Sequence, residues 1–217
     1  MGLPKERILV MTAVIAEKEA VLSRLQGDSK FDVFLAGVGP AAAAANTAKV
    51  LARTEYKLVI SAGIGGGFSG KTEEGSLVVA NEIVAADLGA ETPEGFMSLD
   101  DLGFGFTKIP VDAGLVKTVS EVLLAANFPI STGPIITVST VTGTAGSAQE
   151  MCRRVPGVVA EGMEGYGIAV AAGSYGLPVL EIRAISNLVG PRQRNTWRIK
   201  EALDVLGKAF LVLAEVL

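Results

Sequence analysis

Four short segments hold the residues that could do chemistry, and the chain contains no histidine to help them. That absence removes the commonest general base and every Ser-His or Cys-His nucleophile pair, so acid–base work falls to carboxylates. In Glu161-Gly162-Met163-Glu164-Gly165 two acids flank Gly and Met where an apolar run passes into a helical pattern. An acid at a helix start is commonly a cap favoured by the helix dipole. The second acid beside it favours a placed carboxylate. Arg183-Ala184-Ile185-Ser186-Asn187 ends another apolar run, and Arg192, Arg194, Arg198 and the single tryptophan, Trp197, follow closely. Those arginines read either as a solvated basic helix end or, beside other polar strand ends, as part of one site. Ser61-Ala62-Gly63-Ile64-Gly65-Gly66-Gly67-Phe68 carries four glycines at the carboxyl end of an apolar run, where bare backbone can approach a ligand or simply bend. The turn Gly37-Val38-Gly39-Pro40 offers donors at a helix start, although a plain tight turn is its simplest meaning. It is neither a Walker loop nor a GxGxxG fingerprint, because its spacing is wrong for both.

The elements that must carry these segments alternate. Apolar runs with β-branched residues at Arg7–Val14, Phe31–Gly37, Lys57–Ala62, Ser76–Ala85, Ile130–Val138, Val158–Glu161 and Pro178–Ser186 read as strands. Helical patterns lie at Glu17–Leu25, Pro40–Arg53, Asp112–Ala126, Ala145–Arg154, Glu164–Tyr175 and Trp197–Leu217. Alternation of this kind predicts an α/β fold of three layers, α/β/α, in one domain over 1–217. Pro40 suits a first helical turn, and the alanine run Ala41–Ala45 suits a helix packed closely on a sheet. Asp87–Lys108 is the longest stretch without a pattern, and loops of that length often cover a site or an interface.

Composition narrows the function. Of 217 residues 49% are hydrophobic and 19% charged, mean hydropathy is +0.45 and net charge is −4, which implies a large buried core and no footprint for a polyanion such as DNA. Asn81, Glu82 or Lys49 interrupts every run that approaches a membrane span. Ile8–Ala16 follows Lys5 and Arg7, but Glu6 lies among the basic residues and no small-residue cleavage site follows, so a first core strand is the better reading than a signal peptide. Cys152 is the only cysteine, which excludes an intramolecular disulfide and a cysteine-rich metal cluster and suits a reducing cytoplasm.

Taken in order, Glu17-Lys18-Glu19, Gly37-Val38-Gly39, Ser61–Gly67, Glu161–Gly165 and Arg183–Asn187 resemble the nucleoside phosphorylase/nucleosidase superfamily over nearly the whole chain. Within it, Ile185-Ser186-Asn187-Leu188-Val189-Gly190 with downstream Trp197-Arg198-Ile199 is similar to the futalosine hydrolases. The resemblance implies a central mixed sheet, a purine nucleoside substrate, hydrolysis of its N-glycosidic bond, no cofactor or metal, and a homo-oligomer. It implies that Glu19 activates water, with Glu17 the alternative, that Glu164 binds the ribose hydroxyls, and that Met163 packs on the ribose. Asn187 would contact the base, and Val38, Ile64, Gly65, Gly66, Gly162 and Ser186 would line the substrate. Val141 and Thr142 stand where the related nucleosidases place an aromatic ring beside the base. Trp197 would meet the 5′ substituent, and Arg192, Arg194 or Arg198 its carboxylate.

Two departures refine the expectation. Methylthioadenosine nucleosidases carry Asp where this chain has Asn187, and an amide suits a 6-oxopurine such as hypoxanthine, since it can donate to the oxo group and accept from the ring N–H. Phosphorylases of the superfamily supply arginine near the first helix, whereas Glu17 and Glu19 would repel phosphate there, which favours water. Futalosine hydrolysis in menaquinone biosynthesis is therefore expected. The competing readings are a methylthioadenosine/adenosylhomocysteine nucleosidase, a purine nucleoside phosphorylase and a nucleoside-binding protein without activity.

Overall fold

The structure is a computed structural model that describes residues 6–217. Lys5, which the sequence places ahead of the first strand, lies outside the described residues. Ile8–Thr12 (β1) is buried along its whole length and pairs in parallel with Phe31–Leu35 (β2) and with Leu58–Gly67 (β3). An apolar run hidden on both faces is what an interior parallel strand requires. The helices Ile15–Leu25 (α1) and Pro40–Leu51 (α2) connect these strands.

Leu77–Ala85 (β4) continues the sheet. The stretch expected to lack a pattern, Asp87–Lys108, holds a hairpin, Gly89–Thr92 (β5) with Gly95–Ser98 (β6), and a single turn Leu99–Leu102 (α3), and it leads into a short strand Lys108–Pro110 (β7) beside β4. Then come Ala113–Ala125 (α4), Ile130–Thr137 (β8), Ala145–Arg154 (α5), Ala160–Gly162 (β9), Gly165–Ser174 (α6), Val179–Leu188 (β10) and Ile199–Leu213 (α7). The sheet is mixed, as expected: β10 is parallel to β3 but antiparallel to β4, and β9 is parallel to β8 but antiparallel to β3. It also returns on itself, because β10 pairs both β3 and β4 while β4, β8, β9 and β3 pair in succession. Five strands thus close a ring, and β1 and β2 extend from it. Helices α1 and α7 pack together with α4 against α7, while α2 and α6 form a separate pair.

Small residues set that second pair. A Cβ on Gly167 would stand 2.1 Å from the Pro40 carbonyl oxygen, so α6 crosses α2 at backbone contact. The alanine run therefore serves a helix–helix contact in addition to any packing on the sheet. Two strands exceed their predicted length. β3 continues from Ala62 through the glycines to Gly67, and β10 continues past Ser186 to Leu188. No helix among the described residues is long and apolar enough to cross a membrane.

Candidate active site

Three of the four chemistry-bearing segments end their elements around one cavity of about 240 Å³, and Val38 of the fourth reaches its edge. Glu161 and Gly162 leave β9, and Glu164 is the residue that caps α6. A bulge in the β10–β3 pairing between Ile185 and Asn187 breaks the register at Ser186. A bulge re-aims the side chains beside it, and here Ser186 and Asn187 both line the cavity. The glycines opposite are needed for space: a Cβ on Gly65 would lie 2.7 Å from the Glu161 carbonyl oxygen, and one on Gly66 would lie 2.8 Å from Val189.

Glu17 is the carboxylate that the first helix supplies. One oxygen accepts from the N–H groups of Ala13 (2.9 Å) and Val14 (3.2 Å), and the other from Ile64 N–H (2.9 Å). These bonds close the first turn of α1 and tie it to the glycine strand. Glu164 accepts from Gly39 N–H at 3.2 Å, at the turn before α2, and from Met163 N–H at 3.3 Å. Between the two acids stands Arg183, almost fully buried. Its guanidinium donates to Glu164 (3.3 Å), the Ile64 carbonyl (3.5 Å), Ser61 Oγ (3.2 Å) and Glu181 (2.8 and 2.9 Å).

The charges shape the site's electrostatics. Burial pushes the Glu17 carboxyl above its usual range, opposed chiefly by Arg183 and its backbone bond from Ile64. Glu161 is raised in the same way by burial, against the bonds from Thr142. Burial pulls Arg183 toward losing its proton, but Glu181, Glu164 and Glu17 outweigh that and raise it. Asn187 is held by both ends of its amide: Oδ1 accepts from Ser186 Oγ at 2.8 Å, and Nδ2 donates to the Leu188 carbonyl at 3.1 Å. A larger depression of about 520 Å³ beside α4 is lined by Asn81, Glu82, Lys117 and Glu121. No acid in it is buried, and no glycine turn opens onto it.

The cavity gathers Val38, Ile64, Gly65, Gly66, Val141, Thr142, Gly162, Met163, Glu164, Ser186, Asn187 and Trp197. Glu19 is not among them. It is exposed, because two residues along a helix rotate a side chain by about 200°, which places it on the opposite face of α1 from Glu17. Of the two acids offered for activating water, Glu17 lines the cavity and Glu19 does not. Arg192 also stands off the cavity wall, with its guanidinium carbon 5.0 Å from the Trp197 ring centre. Arg198 pairs with Glu201 at 2.5 Å.

A model of the phosphorylase superfamily matches residues 12–217. The chain is 47% identical to futalosine hydrolase of Streptomyces coelicolor over 97% of its own length and 96% of that protein. The chain belongs to the phosphorylase superfamily and, within it, to the futalosine hydrolase family. Similarity to a 5′-methylthioadenosine/S-adenosylhomocysteine nucleosidase of Geobacillus is lower, 28% identity over 93% of the chain and 86% of that protein. The fold is shared with the nucleosidase of that name from Helicobacter pylori, at a TM-score of 0.87 and 14% identity, covering 99% of this chain and all of the other.

In this family member Glu17 had been expected only as the alternative to Glu19, and four further cavity residues were not expected there: Ala13, Val14, Glu161 and Val189. Ala13 and Val14 precede α1 and donate their backbone N–H groups to Glu17, which no side-chain pattern announces. Glu161 was visible only as one of two flanking acids. For Glu17 a signal existed, because Val21 and Leu25 follow it at spacings of four and all three are buried on α1. The apolar stripe of the helix thus points to Glu17 and away from Glu19.

Proposed function

We propose that the chain hydrolyses the N-glycosidic bond of futalosine, releasing hypoxanthine and leaving dehypoxanthine futalosine, in the cytoplasm and as a step of menaquinone biosynthesis. The observation that carries the reading is the meeting of Glu17 and Glu164 on one cavity that an amide, Asn187, also lines. Glu17 takes a proton from water as the water oxygen attacks the anomeric carbon. The bond from that carbon to the purine nitrogen breaks, its electron pair leaves with the base, and solvent supplies the base with a proton. Glu164 hydrogen-bonds the ribose hydroxyls, and both carboxylates oppose the positive charge that builds on the sugar. Met163 packs on the ribose.

Asn187 spends one lone pair on Ser186 and one N–H on Leu188. One lone pair and one N–H remain, which match the ring N–H and oxo group of hypoxanthine. Val141 and Thr142 flank the base, and Trp197 receives the aromatic tail. Arg192, poised over Trp197 and without a carboxylate partner among the described residues, takes the tail carboxylate in bidentate fashion. Water is favoured over phosphate because all five N–H groups of Arg183 are already engaged, so the only guanidinium at the reacting centre has none to offer an anion. The exposed phenylalanines Phe104 and Phe106 support a homo-oligomer.

Incubation with futalosine, inosine and methylthioadenosine, each with and without phosphate, tests the reading by chromatography of the released base. Hypoxanthine should appear from futalosine without phosphate. Release that requires phosphate, or faster release of adenine from methylthioadenosine, overturns it.

A further inference from the structure

Glu181 is the one buried acid of the cluster that does not line the cavity. It lies on β10 two residues before Arg183, so the two side chains leave the same face of the strand. Neighbouring positions on this strand hold Leu180 and Ile182, and an apolar residue would be the ordinary occupant of a site with no exposure. A buried carboxylate is costly unless it is paired. Glu181 is paired through one oxygen only, which accepts from Arg183 Nε at 2.9 Å and lies 2.8 Å from Nη2. The other oxygen has no partner among the described residues and points at the first turn of α6, where a Cβ on Gly165 would come within 2.0 Å of it. The helix that begins with Glu164 is therefore seated directly on this carboxylate, and glycine at 165 makes the room.

Arg183 faces three acids, Glu17 from α1, Glu164 from the start of α6 and Glu181 from its own strand, with the Ser61 hydroxyl of β3 as its neutral neighbour. The charged groups around Glu181 are Arg183 and Glu164. A single positive charge cannot neutralise all three acids, so its placement decides which of them retain negative charge.

We infer that Glu181 is a positioning residue of the hydrolysis: it takes up the charge of Arg183 beneath α6 and leaves Glu17 and Glu164 free to meet the positive charge that develops on the sugar. The inference rests on the proposed hydrolysis. A carboxylate already neutralised by a guanidinium stabilises a developing cation less than one that is not. Without the Glu181 charge, Arg183 turns wholly to Glu164 and Glu17. Burial raises the Glu17 carboxyl and Arg183 is the chief influence lowering it, so freeing Arg183 lowers Glu17.

The test compares kcat and KM for futalosine across pH in the parent, Glu181→Gln and Glu181→Asp. Glu181→Gln keeps the shape and an acceptor for Arg183 but removes the charge. We expect kcat to fall about tenfold with KM within about threefold, which places the loss in the transition state. The acid limb of the kcat profile should move down by about one pH unit, the low end of what a nearby opposite charge does to a carboxyl. Glu181→Asp keeps the charge one methylene further from Nε and should shift the limb part of the way. It gives the same reading should the Gln variant fail to fold. Damage to packing alone lowers kcat and leaves the limb in place, so an unmoved limb in both variants overturns the inference. A parent that releases no hypoxanthine from futalosine overturns the proposed function instead, and the two failures are distinct.

Discussion

Glu161 shows how a side chain at the cavity serves position at the cost of stability. Its two oxygens hold Thr142, by the N–H at 3.0 Å and by the hydroxyl, and Thr142 flanks the proposed base site. Burial raises its pKa above the usual carboxylate range. A carboxyl whose folded pKa is raised contributes stability that is complete below the unfolded pKa and is lost as pH rises through the folded one. The parent thus bears a growing cost of ionising Glu161 as pH rises. Glu161→Gln can still accept from Thr142 N–H while its NH₂ donates to the hydroxyl, and it carries no charge. Melting curves from pH 4.5 to 8 should show the variant gaining on the parent as pH rises, by about 2–4 °C in Tm for each 1 kcal/mol relieved in a chain of this size. A gap that narrows with rising pH would refute the assignment.

The contact between α2 and α6 sets Glu164, since Glu164 caps one helix and accepts from Gly39 ahead of the other. Gly167→Ala places a methyl 2.1 Å from the Pro40 carbonyl oxygen and must push the helices apart. Overpacking of that kind costs about 1–3 kcal/mol, so Tm should fall and KM for futalosine should rise as Gly39 and Glu164 separate. Gly173→Ala on the same helix meets nothing within 4 Å and should be neutral or stabilising by up to about 1 kcal/mol. Equal effects of the two substitutions would refute the close-contact account. These elements were legible because their signals are local: Pro40 at a helix start, and apolar runs ended by polar residues. The hairpin β5–β6 was not, because its strands have four residues each and no buried face. The extra length of β3 and β10 was hidden too, since glycines and the polar pair Ser186-Asn187 carry no strand alternation, and β3 owes its course to what crosses it. A Cβ on Gly63 would meet Glu17 and Arg183 at 2.6 Å, a requirement set by residues distant in sequence. Closure of the ring through β10 rests on equally long-range pairing, and only the family resemblance bore on the sheet's mixed directions.

Across the whole molecule, the apolar composition exceeds what the core absorbs. Phe104 and Phe106 are 81% and 77% exposed, and Leu88 and Val170 are exposed as well. Phe106 does not dangle: its carbonyl accepts from the Tyr166 hydroxyl, which fastens the segment to α6. A fastened pair of exposed aromatic rings is the kind of surface that marks a protein contact. Burying a phenylalanine is worth about 1.5–3 kcal/mol, so covering both strengthens association by about 3–6 kcal/mol, or about 10²–10⁴ in Kd. Sedimentation velocity should therefore find the parent associated at micromolar concentration and Phe104→Ser/Phe106→Ser shifted toward the monomer. A parent that sediments as a monomer would refute the association. Tyr166 stands two residues after Glu164, so a subunit seated on Phe106 would also steady the turn that holds the proposed sugar-binding acid. Dilution of the parent below its dissociation constant should then raise KM for futalosine, and the double variant should show that raised KM at every concentration.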